Sequence, residues 1–164
     1  MTFTLVHVVI SLIGIASGLV VLLGMLAGKR MDVWTALFLA STGATSVTGF
    51  GFPFDHLLPS HIVGGISLVV LAVAAYARYG ARLAGGWRTA YVIAAVMALY
   101  LNVFVLVVQL FRRVPALTAL APTQSEPPFA SAQGIVLVLF IALGVLAAKR
   151  FRDRPRGATI GANR

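Results

Sequence analysis

The chain has 164 residues, of which 60% are hydrophobic and only 10% are charged, and its formal net charge is +9. Soluble domains usually carry charges on about a quarter of their residues. The composition therefore excludes an ordinary soluble domain and places the chain in a lipid bilayer. Because the sequence contains no cysteine, it also excludes disulfides, thiolate-held zinc and iron–sulfur clusters.

Five apolar runs use most of the chain, and each is close to the ~20 residues that a helix needs to cross the hydrocarbon layer. The runs are residues 5–28, 33–51, 62–81, 90–111 and 129–148. We therefore predict an all-α, polytopic membrane bundle of five transmembrane helices as a single domain, residues 1–148. A basic cytoplasmic tail is predicted for residues 149–164, and a loop of residues 112–128 precedes the last helix.

The second run is the least hydrophobic, because it contains many Ser and Thr residues, but the placement of charge predicts that it crosses the membrane. With five spans, eleven of the thirteen Lys and Arg residues lie on one side, as the positive-inside rule expects. Four spans would break this agreement. The rule orients the chain with its N-terminus outside and its C-terminus in the cytoplasm. The eleven residues are Lys29, Arg30, Arg78, Arg82, Arg88, Lys149, Arg150, Arg152, Arg154, Arg156 and Arg164.

The net positive charge does not indicate nucleic-acid binding, although basic clusters do bind phosphates. The basic residues are short flanks of membrane spans, where Lys and Arg hold the orientation and contact anionic lipid headgroups. Membrane lipids are therefore the predicted partners of this charge.

The two remaining basic residues, Arg112 and Arg113, follow the fourth run on the outer side, where most of the His, Asp and Glu residues also lie. Polar residues in membrane spans tend to face the interior of a bundle or a watery cavity. This clustering predicts a ligand-binding pocket at the outer face. The candidate residues are His7, Asp55, His61, Gln109, Arg112, Arg113, Glu126 and Gln133.

A structural role is the alternative for several of these residues. Arg112 and Arg113 would then pair with Asp55 or Glu126 and orient the loop, or extend to lipid headgroups. Asn102, on the same run as Gln109, is expected to form a hydrogen bond between helices.

Two histidines at similar depth on different helices, His7 and His61, also fit a haem or metal site. No His-x-x-His or His-Glu-x-x-His spacing accompanies them. The sequence likewise lacks a phosphate-binding loop and a nucleophile elbow. These features favour a protein that is not an enzyme, with a haem- or metal-binding redox protein as the alternative.

Small residues recur four positions apart on the first and last runs, a spacing that allows helices to approach closely. The pairs are Gly14 and Gly18, Gly24 and Gly28, and Gly144 and Ala148. The spacing does not distinguish packing within one chain from packing between chains. On the second run, Ser41, Thr45 and Thr48 share a face, and we expect their hydroxyls to bond to carbonyls of their own helix.

Two stretches of the sequence carry a resemblance to known proteins. They are residues 41–54 with Pro59, Ser60 and His61, and residues 101–104 through 126–129. Both resemble a group of small multi-pass bacterial inner-membrane proteins with no assigned function. The resemblance implies a bacterial inner membrane. It implies no catalytic or binding residue.

The leading functional hypothesis is therefore a small membrane subunit or binding module with an outer-face polar pocket. It is expected to work as a homo-oligomer or beside a larger membrane complex. An oligomeric channel or transporter for a small anion, which Arg112 and Arg113 would attract, is a further alternative.

Overall fold

The computed structural model describes residues 2–51 and 59–151, and these residues form helices and short connections without any strand. Asp55, one of the candidate site residues, and most of the basic tail lie outside the described residues. The elements are α1 (Thr2–Leu26), α2 (Asp32–Gly49), α3 (Pro59–Ala75) with a π-helical turn (Tyr76–Gly80), α4 (Trp87–Arg113), α5 (Pro115–Leu120) and α6 (Pro127–Arg150).

Within residues 2–51 and 59–151, four helices are long and apolar enough to cross a membrane, so the protein is an all-helical membrane protein. They are Phe3–Leu26, His61–Gly80, Trp87–Arg113 and Pro127–Arg150. At 1.5 Å per residue, a helix of 20 residues reaches about 30 Å, which is the thickness of the hydrocarbon layer.

Consecutive long helices run in opposite directions, with α4 packed against α1, α3 and α6. At one end of the bundle, here called the histidine end, His7 near the start of α1 meets Thr48 near the end of α2. At the other, here called the basic end, Arg78 of the π-helical turn meets Asp32 at the start of α2. These two contacts show that α2 extends along the whole length of the bundle.

The inward side of α2 consists largely of hydroxyl residues, which is why its composition is less apolar than that of the other long helices. Its buried residues are Thr35, Phe38, Ser41, Thr42 and Ser46. As predicted, Ser41 donates to Leu37 O at 2.6 Å, and Thr48 donates to Ala44 O at 2.7 Å. Thr45 differs, because its Oγ1 is buried and forms no hydrogen bond within the described residues.

The glycines of α1 and α6 bring helices together within this one chain. A Cβ added to Gly18 would lie 2.6 Å from Leu99 Cδ1 and 2.8 Å from the ring of Phe38, so only glycine fits between α2 and α4. A Cβ added to Gly144 would lie 3.3 Å from Val96 Cγ1 of α4. The small-residue spacing therefore serves packing within the chain at these positions.

The connection after α4 contains more helix than the sequence indicates. Arg112 and Arg113 form the last turn of α4, and residues 115–120 form the short helix α5. Pro115 starts α5, where its fixed φ favours the first turn and its missing N–H costs nothing. Thr118 then donates to Phe111 O at 2.8 Å and ties α5 back to the end of α4.

Candidate functional site

The side chain of His7 on α1 forms a hydrogen bond with α2 at the histidine end. Its Nδ1 lies 2.8 Å from Thr48 Oγ1. The Thr48 hydroxyl also lies 2.7 Å from Ala44 O, a carbonyl that can only accept. We therefore assign the hydroxyl proton to Ala44 O, so that His7 Nδ1–H donates to Thr48.

His61 is buried at the start of α3, and its ring lies against Phe50, with centroids 5.6 Å apart. His7 lies on α1, and α2 packs against both α1 and α3. The two histidines therefore flank the last turn of α2, with Thr48 beside one and Phe50 beside the other.

This geometry bears on a haem or metal site in two ways. A metal-ligating histidine often donates its second N–H to an acceptor, as His7 does to Thr48. His61 lies against Phe50, two residues after Thr48, so both histidines contact the same end of α2. Among the described residues, no group of three or more His, Asp and Glu side chains is arranged to hold a metal ion.

The amide side chains on α4 and α6 divide into bonded and exposed groups. Asn102 Nδ2 donates to Thr42 Oγ1 of α2 at 3.1 Å, as expected for a bond between helices. Gln133 Nε2 donates to Phe104 O at 3.2 Å, and its buried Oε1 has no hydrogen-bond partner within the described residues. Gln109 is exposed.

Glu126 organises its own loop. Its Oε1 accepts hydrogen bonds from the Thr123 hydroxyl at 2.9 Å and from the Thr123 N–H at 3.1 Å, and its Oε2 accepts one from the Ser125 N–H at 3.1 Å. Desolvation is the largest single influence and acts to raise the pKa of Glu126, but the hydrogen bonds together outweigh it and hold the pKa below its usual value.

Arg112 and Arg113 are exposed, and the structure forms no ion pair between either of them and Glu126. The expected pairing with Glu126 is therefore not formed, because that carboxylate is turned towards Thr123 and Ser125. The alternative pairing with Asp55 lies outside the described residues.

The predicted outer-face residues thus form two groups. His7 and His61 lie beside α2, whereas Gln109, Arg112 and Arg113 lie at the end of α4. A gap in the described part of the bundle lies between α1, α2 and α4, and it has no room for a water molecule. It contains none of the predicted site residues, since its lining is Gly18, Val21, Leu22, Met25, Phe38, Ala95, Val96 and Leu99.

Sequence reasoning missed a second cluster at the basic end, here called the arginine clasp: Asp32, Thr35, Arg78 and Tyr91. The side chain of Arg78 is 5% exposed and donates from Nη2 to Asp32 Oδ1. Arg78 Cζ lies 5.4 Å from the centroid of the Tyr91 ring, in a cation–π contact. Tyr91 Oη lies 3.2 Å from Thr35 Oγ1. The clasp therefore joins α2, the π-helical turn and α4.

The energetics of the clasp are asymmetric. The side chain of Asp32 is 79% exposed, so its carboxylate remains hydrated if Arg78 is removed. The guanidinium of Arg78 is buried, and a buried charge that loses its partner is strongly destabilising. Phe151, just after α6, packs against Tyr91, with the two ring centroids 6.0 Å apart.

The sequence contains only a weak signal for the clasp. Arg78 lies inside the apolar run 62–81 rather than beyond its end, and Asp32 directly precedes the run 33–51. The positive-inside rule accounts for Arg78 without a partner, so its pairing was not predicted. The π-helical turn that positions Arg78 has no recognisable sequence pattern, although such turns are frequent at functional sites.

The geometry thus provides two polar regions, an exposed pair of arginines at the histidine end and a buried clasp at the basic end. Comparison with models of known protein families, with curated proteins and with solved structures finds no match for this chain.

Proposed function

We propose that the protein is a five-span subunit or binding module of a bacterial inner membrane, and that its outer edge binds an anionic group. In this proposal the basic end faces the cytoplasm and the histidine end faces outwards. The observation that carries the binding role is the exposure of Arg112 and Arg113 beside a Glu126 carboxylate that is already occupied by Thr123 and Ser125.

The proposed orientation is supported by the side chains at the basic end. Exposed Lys29, Arg30, Arg82, Lys149 and Arg150 all belong to helix ends or connections there. Exposed aromatic residues accompany them, as expected where a helix passes through the headgroup layer. These are Trp34, Tyr76, Tyr79 and Trp87, of which Tyr76 and Trp87 pack edge to face with centroids 4.9 Å apart.

The path of α2 supports the fifth span. Its first residue contacts Arg78 at the basic end, and Thr48 contacts His7 at the histidine end, so both of its ends match those of the apolar helices. A helix of 18 residues is about 27 Å long, which is within the range that crosses a bilayer.

The chemistry of the outer edge favours an anion. Guanidinium groups bind phosphate and carboxylate oxygens through paired N–H donors. Gln109, one helical turn before Arg113, adds an amide that can donate to the same group. The anionic group could belong to a lipid headgroup or to a soluble phosphate, and both present the same oxygens.

A role within an assembly is supported by α6. It is the least buried of the four apolar helices, and of its residues only Phe140 and Ala147 are buried. Its outward side is therefore open to lipid or to a neighbouring helix, as expected for a homo-oligomer or a subunit of a larger membrane complex.

A fluorescent reporter on the outer edge tests this proposal. The chain has no cysteine, so an Ala116→Cys variant carries a single thiol on α5, close to Arg112 and Arg113. In right-side-out vesicles, an impermeant maleimide dye should label this thiol. Failure to label it, with labelling in inverted vesicles, would reverse the proposed orientation.

The labelled vesicles are then titrated with inorganic phosphate and with short-chain phosphatidylglycerol. We expect a saturable change in fluorescence that is lost in Arg112→Gln/Arg113→Gln and kept in Lys149→Gln/Arg150→Gln, which removes the same charge from the opposite end. A response to the lipid alone identifies a headgroup site, and a response to both identifies a general phosphate site. Equal responses in the wild type and Arg112→Gln/Arg113→Gln would refute binding at this edge.

A further inference from the structure

The second helix differs from the other long helices in what holds it in the bundle. Its 18 residues include six with hydroxyl groups and begin with an aspartate. Unlike α1, α3, α4 and α6, α2 is not apolar enough to cross a membrane by its composition. An isolated helix of this kind gains little from leaving water for hydrocarbon.

Polar contacts with neighbouring helices occur at three levels along α2. At the basic end, Asp32 accepts from Arg78 and Thr35 contacts Tyr91. Near the middle, Thr42 accepts from Asn102. At the histidine end, Thr48 accepts from His7, and His7 is the only one of these partners that lies on α1.

Most of these partners come later in the chain than α2. Arg78 follows α3, and Tyr91 and Asn102 belong to α4. The dependence between α2 and these partners is mutual, because the buried guanidinium of Arg78 needs the carboxylate of Asp32.

We propose that α2, which lacks the apolar composition of the other long helices, keeps its membrane-spanning position through its polar contacts with the π-helical turn and α4, and that the Arg78–Asp32 ion pair holds its cytoplasmic end. Arg78 is thus a positioning residue for α2. This inference rests on the proposed five-span topology, and the experiment below separates the failure of one from the failure of the other.

Thiol accessibility in the full-length chain tests the inference. Ala40 lies near the middle of α2 and is exposed on the outside of the bundle, so an Ala40→Cys thiol should face lipid. Leu139, exposed near the middle of α6, provides the matched position on an apolar helix. A thiol in lipid does not react with a water-soluble maleimide, whereas a thiol on a helix that has left the bilayer does.

Each thiol is combined with Arg78→Gln and, separately, with Arg82→Gln. Both changes remove one positive charge from the same end, so they alter the positive-inside signal equally. Only Arg78 is bonded to Asp32, whereas Arg82 is exposed. A difference between the two variants therefore reports the clasp rather than the charge.

We expect Ala40→Cys to be unreactive in the wild-type background and with Arg82→Gln, and to be labelled in a major fraction of molecules with Arg78→Gln. Leu139→Cys should remain unreactive throughout. As a second variant, Asn102→Leu combined with Arg78→Gln should increase the labelled fraction of Ala40→Cys further.

Three results would contradict either the inference about α2 or the five-span topology on which it rests. If Ala40→Cys remains unreactive even in Arg78→Gln/Asn102→Leu, α2 does not depend on these contacts and the inference fails while the five-span topology stands. If Ala40→Cys reacts in the wild-type background, the five-span topology itself fails. If Leu139→Cys also reacts with Arg78→Gln, the ion pair holds the whole bundle rather than α2, and the inference is again wrong.

Discussion

Asn102 of α4 donates a hydrogen bond to Thr42 of α2 at 3.1 Å, and Thr42 is completely buried. Replacing Asn102 with Leu removes the donor while keeping a side chain of similar size. Because hydrogen bonds between membrane helices contribute about 0.6–2 kcal/mol, we expect Asn102→Leu to destabilise the bundle by this amount. Thermal unfolding in detergent measures the change.

The matched control for this change is Gln109→Leu. Gln109 lies about two turns further along α4 and is exposed, so its replacement should leave the stability almost unchanged. Equal stability of Asn102→Leu and Gln109→Leu would show that the bond to Thr42 contributes nothing to the bundle.

The close contact at Gly18 predicts a strong effect of a single methyl group. A Cβ at this position would lie 2.6 Å from Leu99 Cδ1, whereas a Cβ at Gly43 would meet nothing within 4 Å. Overpacking of a core typically destabilises by ~1–3 kcal/mol, so Gly18→Ala should lower the unfolding temperature. Gly43→Ala makes the same change to the backbone without a clash, and no loss is expected there. A loss of stability in both variants would attribute the effect to something other than the contact with Leu99.

The hydrogen bonds of Glu126 predict that the stability of the loop around residues 123–126 depends on pH. Because hydrogen bonds hold its pKa below the ordinary value of 4.5, folding favours the charged form. The stabilisation is therefore fully present above 4.5 and is lost as the pH falls below it through the lowered pKa. Amide hydrogen exchange at Thr123 and Ser125, corrected for intrinsic rates, should accelerate in that range. In Glu126→Gln the exchange should be fast at every pH, and a loop that responds to acid equally in this variant would exclude Glu126 as the cause.

The contacts of the two histidines predict what the absorption spectrum and the metal content of the purified protein should be. In the proposed binding module, His7 and His61 are structural residues on the two flanks of α2, so the purified protein should show neither a Soret band nor a stoichiometric metal. Absorption spectroscopy and elemental analysis check this. A Soret band that disappears in His61→Ala would instead support the haem-binding alternative.

The residues of the outer face show where sequence reasoning succeeded and where it stopped. The bond of Asn102 to another helix and the hydroxyl bonds of Ser41 and Thr48 to their own helix were predicted correctly, because an amide in a membrane span bonds across helices and a Ser or Thr hydroxyl reaches the carbonyl four residues earlier. The contacts of His7 with Thr48 and of His61 with Phe50, both at the end of α2, were not predicted. Similar depth in the membrane follows from counting residues along a helix, but position around the bundle depends on which helices pack together.

The positions of the four apolar helices follow from the sequence, because the lengths of their apolar runs match the thickness of a bilayer. The run 62–81 also predicted the end of α3 with its π-helical turn to within a residue, since Gly80 and Ala81 lie at the boundary. The connection 112–128 was predicted less well, because α5 is too short for a periodic pattern to distinguish it from a loop.

The sequence by itself determined that this is an all-helical membrane protein, because a run of apolar residues has the same preference for hydrocarbon whatever its neighbours are. Only the tertiary structure decided which polar side chains are partners. Arg78 is one of eleven basic residues with the same sequence signal, yet it alone among the described ones forms an ion pair with Asp32. That choice depends on the packing of α2 against α3 and α4, which places two groups 46 residues apart in contact.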